Sequence, residues 1–255
     1  MNKILIICRK ELKSYFVSPI AYAVLADFAL VFGVAFYTAT ADFVRFSFQS
    51  QMMGQQQPMD INAQIIRPLL GFAATVALFL IPMITMRLVA EEKRSGTIEL
   101  LMTSPVKDSG IIIGKWLGAM ALYLCVLGMS MLSVLVLFAW GKPDIKPVLV
   151  AYLGLILQGG CLLAIGTFIS TTTKDQIVAV VVTFHLSLML WMLSWFTAFG
   201  NTWVSQLANY LSIVTHMENF SKGVLDLKDV VFYVSFIFLA LFLTLRRMES
   251  LRWRS

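Results

Sequence analysis

The stretch Glu91-Glu92-Lys93-Arg94-Ser95-Gly96-Thr97-Ile98-Glu99-Leu100-Leu101-Met102-Thr103-Ser104-Pro105 interrupts an otherwise apolar chain, and the arrangement of everything else follows from how it is read. Apolar runs lie on both sides of it, and it is too polar to sit in lipid. Thr97 is placed to cap a helix by accepting from an unpaired backbone N–H, and Glu99, one turn in, suits the positive end of the helix dipole. Pro105 drives Ser104 out of the helical region and ends the helix. The result is a helix of about two turns with Ile98, Leu101 and Met102 on one face by i, i+3, i+4 spacing. So short a helix is not stable alone in water and must dock on something. It either lies on the protein's own helices or forms the docking helix for a soluble partner.

Composition fixes what surrounds this loop. Of 255 residues 59% are hydrophobic and 13% charged, where a soluble domain carries about 25% charged residues. Several runs reach the roughly 20 apolar residues that cross a bilayer. The chain therefore reads as an all-α membrane protein, a single domain over residues 1–255 with small loops and no second globular unit. The three cysteines, Cys8, Cys125 and Cys161, form no CxxC pair and read as small hydrophobes. No signal peptide is expected, because no long apolar run or small-residue cleavage site follows the basic N-terminus.

Residues 2–16 form an amphipathic helix expected in the membrane interface. Arg9, Lys10 and Lys13 share one face, Ile4, Leu5, Cys8, Leu12, Tyr15 and Phe16 most of the other, and Ile6 and Glu11 break the pattern. Ser18-Pro19 then turns the chain into a first span near Ile20–Tyr37. A glutamine-rich polar loop near 39–66 leads to a second span, about Leu69–Met86, with Pro82 as a kink point. Beyond residues 91–105 the spans run near Trp116–Trp140, Val148–Ile169, Ile177–Phe199 and Val230–Leu245. Gly154, Gly159, Gly160 and Gly166 mark the fourth as a close-packing helix. Residues 201–228 read as a short interfacial helix, from the spacing of Trp203, Leu207, Tyr210, Leu211 and Val214. Gly223 is its stop, and Asp226 or Asp229 caps the last span.

Six spans place both ends on one side, and the basic residues choose which. With both ends inside, 14 lysines and arginines face the cytoplasm and 6 face out: Arg45, Arg67, Lys142, Lys146, Lys222 and Lys228. That puts residues 91–105 in the cytoplasm.

Chemistry of its own is hard to find in this chain. Gly110-Ile111-Ile112-Ile113-Gly114-Lys115-Trp116 is one residue short of a nucleotide-binding P-loop and lacks the Ser/Thr for Mg²⁺, so nucleotide energy must come from another chain. The two histidines, His185 and His216, have no partner at metal-ligand spacing. Gly128-Met129-Ser130-Met131 with His185 invites an intramembrane serine protease, but Met131 stands where rhomboid proteases keep a glycine that leaves room for substrate. Asp27, the one acid deep in a span, fits either a proton-coupled transporter or a structural bond to a neighbouring helix. No feature points to nucleic acid.

Residues 91–105 closely resemble the segment between the second and third spans of ABC type 2 exporter permeases, roughly E-[KR]-x-x-G-T-x-E-x-L-L-x-[ST]-P. Residues 220–233 (Phe220-Ser221-Lys222-Gly223-Val224-Leu225-Asp226-Leu227-Lys228-Asp229-Val230-Val231-Phe232-Tyr233) look like the branch associated with gliding motility and nitrous-oxide reductase maturation. The resemblance implies a permease in the bacterial inner membrane, with both termini cytoplasmic. It would pair with a second copy or a related permease, and export substrate when a separate ATPase binding ATP and Mg closes. By position Glu91, Glu92, Arg94, Gly96, Thr97, Ile98, Glu99, Leu100, Leu101 and Met102 belong to its coupling region, where Gly96 allows a tight turn. No catalytic residue, cofactor or metal is then expected on this chain. A membrane anchor that holds an ATPase without transporting remains an alternative.

Overall fold

A computed structural model describes residues 3–53, 60–99, 106–141, 143–195 and 203–252; these are helices joined by short turns, without a strand among them. Helix α1 covers Lys3–Val17. Ser18, in extended conformation, accepts from the Ile20 amide at 3.4 Å and starts α2, with Pro19 in the first turn, where its missing N–H is not needed.

Helix α2 spans Pro19–Met52, 34 residues, or about 51 Å at 1.5 Å per residue, against a hydrocarbon core of roughly 30 Å. The polar loop expected from residue 39 is therefore partly helix. Asp42, Arg45 and Gln49 are as compatible with helix as with loop once outside lipid, and no Gly or Pro interrupts residues 39–52. A π-helical turn at Asn62–Ile66 leads into α3, Arg67–Thr85, with Pro82 near its end. The short α4 is Ala90–Arg94. Then follow α5 (Asp108–Gly141), α6 (Ile145–Thr172) and α7 (Gln176–Met192). After them come α8 (Trp203–Leu211), α9 (Ile213–Ser221) and α10 (Leu227–Arg252). Six helices are long and apolar enough to cross a membrane: α2, α3 with its flanks, α5, α6, α7 and α10. The start of α1 and the end of α10 thus share one face of the bundle, the terminal face; α8 and α9 lie at the far face.

Helices α3 and α6 form the centre, buried over most of their length, while α2, α7 and α10 turn most of their surface outward. The glycines of α6 are contact points. A Cβ on Gly159 would stand 2.0 Å from the Tyr123 ring, and one on Gly166 would stand 2.3 Å from the Thr85 hydroxyl. Without side chains there, α5 and α3 close onto α6.

The far-face segment holds two helices where one was expected. Ser212 is extended between them, and the Tyr233 hydroxyl donates to the Ile213 carbonyl at 2.9 Å, tying the break to α10. Gly223 has φ +77°, and the Val224 amide reaches the Asn219 carbonyl at 2.9 Å, a Schellman stop. Asp226 caps α10 by accepting from the Lys228 amide at 3.1 Å, and that bond holds its carboxyl below the usual range. Asp229 has a different role: its carboxylate accepts from His216 at 2.6 Å and from Asn219 at 2.7 Å, with His216 stacked on Phe232. The remaining His216 nitrogen faces the Tyr210 carbonyl at 2.9 Å. This buried pair fastens α9 to α10.

Candidate functional site

The loop between the second and third spans begins as an arm tied to four other elements. Arg87 grips Glu91 through both oxygens, at 2.7 and 2.9 Å, and its third contact is the Ser18 hydroxyl at 2.6 Å. The paired fork is a strong, directional contact. The Ser170 hydroxyl near the end of α6 accepts from the Val89 and Ala90 amides at 3.1 and 3.0 Å, meeting two donors that the start of α4 leaves open. Lys93 donates to the Thr171 carbonyl, a cation at the negative end of α6.

The deepest tie is Lys115, which is 2% exposed. Its ammonium donates to Glu11 of α1 at 3.0 Å, to Glu92 of α4 at 2.7 Å and to the Leu88 carbonyl at 2.7 Å. An ammonium has three donors, so none is left unmet. Lys10 lies 3.6 Å from Glu11 and 3.7 Å from Glu92, which balances the cluster at two positive and two negative groups. A buried charge is tolerable only when paired and hydrogen-bonded in this way.

Small residues bring α1 within reach. Gly110, Gly114 and Gly118 form one stripe on α5 at i, i+4, i+8, and α1 lies along it; a Cβ on Gly114 would stand 2.8 Å from Ile7, and one on Gly118 would stand 2.7 Å from Glu11. The string that fails as a P-loop is thus a seat for α1. Tyr15 adds a bond from its hydroxyl to the Ile84 carbonyl at 2.7 Å, and burial raises its phenol far above the ordinary value.

Beyond α4 the chain reverses at Gly96, whose φ of +73° suits only glycine, and is helical again at Ile98. The Thr97 hydroxyl lies 2.9 Å from that of Ser95. Arg94, Thr97 and Glu99 are exposed. Ile98 is half-buried and packs on the bundle's own core, so it anchors the arm from within. Glu92 likewise faces inward, toward Lys115. Leu100, Leu101 and Met102 lie outside the described residues.

The other candidate residues are not brought together. Ser130 is buried, donates to the Leu127 carbonyl at 2.7 Å and meets the Tyr152 hydroxyl at 3.0 Å. His185 is on the outward side of α7, its Nδ1 2.8 Å from the Val181 carbonyl. No hydrogen bond joins the two, so Ser130 and His185 do not form a dyad. Asp27 is exposed on the outward face of α2, and among the described residues it makes no bond to a neighbouring helix. Among the described residues no cluster of His, Cys, Asp or Glu could hold a metal.

Sequence reading missed Glu11, Lys115, Ser170 and the His216–Asp229 pair. The one available signal was Lys115 itself, a cation set among apolar residues in a glycine stripe, which has to find an acid somewhere.

A bundle of six membrane-length helices with a polar arm locked to one face defines a multi-pass membrane protein. Residues 5–246 match the family described as ABC-2 family transporter protein, and the chain belongs to that family. It is a membrane-embedded permease of an ABC transporter. No curated protein matches it.

Proposed function

We propose that this chain is the permease half of an ATP-driven exporter in the bacterial inner membrane, with the terminal face in the cytoplasm. A separate ATPase subunit, carrying ATP and Mg, docks on the segment 91–105. The catalytic residues belong to that subunit. The observation that carries this reading is the way the arm is fixed: residues 87–93 are bonded to α1, the cap of α2, α5 and α6 at once, through Glu92–Lys115–Glu11, Arg87–Ser18 and the Val89 and Ala90 amides to Ser170. A loop resting idly on the surface needs no such ties, whereas one that passes motion to the spans does. With Ile98 turned inward, contact with the ATPase is left to Leu101 and Met102, together with the exposed Arg94, Thr97 and Glu99.

A second copy of the chain, or a related permease, completes the transporter on the outward faces of α2 and α7. Asp27 supports this, since a carboxylate turned to lipid is costly and one turned to a partner or a water-lined path is not. The branch associated with gliding motility and nitrous-oxide reductase maturation rests on residues 220–233 alone.

The test is a pull-down of the ATPase from membranes matched for permease level. An apolar anchor carries most of the energy of such a contact, and a carboxylate forced into its pocket costs at least a few kcal/mol, on the order of a hundredfold in affinity. Leu101→Asp is expected to abolish co-purification while Glu99→Ala weakens it slightly. Full retention by Leu101→Asp would remove the docking assignment.

A further inference from the structure

Helices α5 and α6 follow one another along the chain, yet in the half of the bundle toward the far face they leave a groove between them. Its volume is about 360 Å³, within the roughly 300–1,000 Å³ of sites that hold small molecules. Leu127, Met131 and Phe138 of α5 line one side, and Val148, Leu149 and Ile156 of α6 the other. Among the described residues that line it, Tyr152 alone carries a hydroxyl or amide. That hydroxyl is taken: it lies 3.0 Å from the Ser130 hydroxyl, which itself donates to the Leu127 carbonyl. The walls are otherwise hydrocarbon. Gly128 belongs to them, and a Cβ there would meet nothing within 4 Å, whereas each of the other four α5 glycines would set one against a neighbour. At Gly128 the missing side chain leaves room instead of drawing helices together. An unfilled gap of this kind forfeits dispersion contacts along both walls.

We propose that this groove holds one acyl chain of an anionic membrane phospholipid, taken from the leaflet at the far face. What the groove opens onto sets its occupant. Leu124, Met131, Leu135 and Leu149 are exposed and form part of its walls, so it is continuous with the apolar surface that two membrane-spanning helices turn to the bilayer. Its depth fits one leaflet. On α6 it runs from Ile145, the first residue of the helix, to Ile156. At 1.5 Å per residue that is about 16 Å, half of a hydrocarbon core of roughly 30 Å. The charge at its mouth fits a phosphate. Lys146, exposed in the first turn of α6, pairs with no carboxylate among the described residues. The connection 141–147 carries two lysines against one acid, and the exposed Trp140 suits the headgroup layer. A second helix fits less well. Helices meet in membranes through small residues that let backbones approach, and among the described lining residues only Gly128 is small.

The experiment places the full-length protein in bilayers of equal phosphatidylglycerol and phosphatidylcholine, with a trace of either lipid carrying a diazirine in its acyl chain, and maps the photolabelled peptides. Label is expected to concentrate on residues 124–138 and 145–156, above the level on the outward face of α7. Gly128→Leu and Leu149→Trp fill the groove from opposite walls and are expected to lose that label. Gly128→Ala leaves the groove open and is expected to keep it. Lys146→Gln is expected to lower the preference for the phosphatidylglycerol probe about fivefold, the worth of one basic residue at an anionic membrane surface. Unchanged groove label in both filling variants, each monodisperse, would overturn the site. So would label spread evenly over α5, α7 and α10, the pattern of lipid that merely surrounds the bundle. An unlabelled groove in the wild type, with Met131→Cys cross-linking between copies, would give the groove to the second permease and overturn it as well. An unaltered preference in Lys146→Gln would overturn the headgroup contact. The site rests on the location of the bundle in the membrane and not on the docking segment, so its failure leaves the Leu101→Asp result intact.

Discussion

Lys115 is held by three acceptors, and its removal is not a simple loss of one contact. Lys115→Met leaves the Glu11 and Glu92 carboxylates facing each other in a buried site with only Lys10 near. Breaking a buried pair from one side costs about 3–5 kcal/mol. For a chain of this size that is a fall in melting temperature of roughly 10 °C, to be read by thermal unfolding in detergent. Adding Glu11→Gln and Glu92→Gln to the same chain is expected to return most of it, because the stranded charges are then gone. At the far face, Gly223→Ala is expected to destabilise by more than about 1 kcal/mol. The new Cβ meets Pro147 at 2.8 Å in addition to the strain of a positive φ.

Among the helices, the seat of α1 on α5 makes a sharp contrast. Gly114→Val puts a side chain into Ile7, an overpacking cost of about 1–3 kcal/mol that falls on the α1 contact. Gly128→Ala on the same helix meets nothing within 4 Å and should be neutral within about 0.5 kcal/mol. Limited proteolysis of the N-terminal region, faster in the first and unchanged in the second, checks both. These helices also show what a sequence can and cannot disclose. The spans were legible because apolar composition is a local property, and Gly223 and Ser18-Pro19 were legible because stops and caps are local too. The outer third of α2 was not, because Asp42, Arg45 and Gln49 are as compatible with a helix in water as with a loop. Glu11 read as a flaw in an amphipathic pattern; its meaning lies in Lys115, 104 residues away. His216 read as isolated for the same reason, its acid being on a helix that packs back against its own.

Taken whole, the molecule has a compact centre in α3 and α6 and a large outward apolar surface that includes an acid. If a second permease covers α2, Leu30, exposed one turn from Asp27, lies at that junction. Leu30→Cys is expected to cross-link between copies in oxidised membranes, whereas Phe28→Cys, facing the core, should not. Monomers only in both cases would place the partner elsewhere. Orientation is checked separately: tags near residues 55 and 205 should be reachable from outside, and tags at residue 97 and Ser255 should not. The 104-residue gap between Glu11 and Lys115 also sets an order of events as the chain is made. At about 5–20 residues per second, some 5–20 s pass between the appearance of α1 and that of its seat. During that interval the first two spans can insert, but α1 has no groove to enter and its apolar side has only the membrane surface to rest on. Assembly of the terminal face therefore waits for the third span, and a ribosome stalled before Lys115 would leave the N-terminal helix undocked.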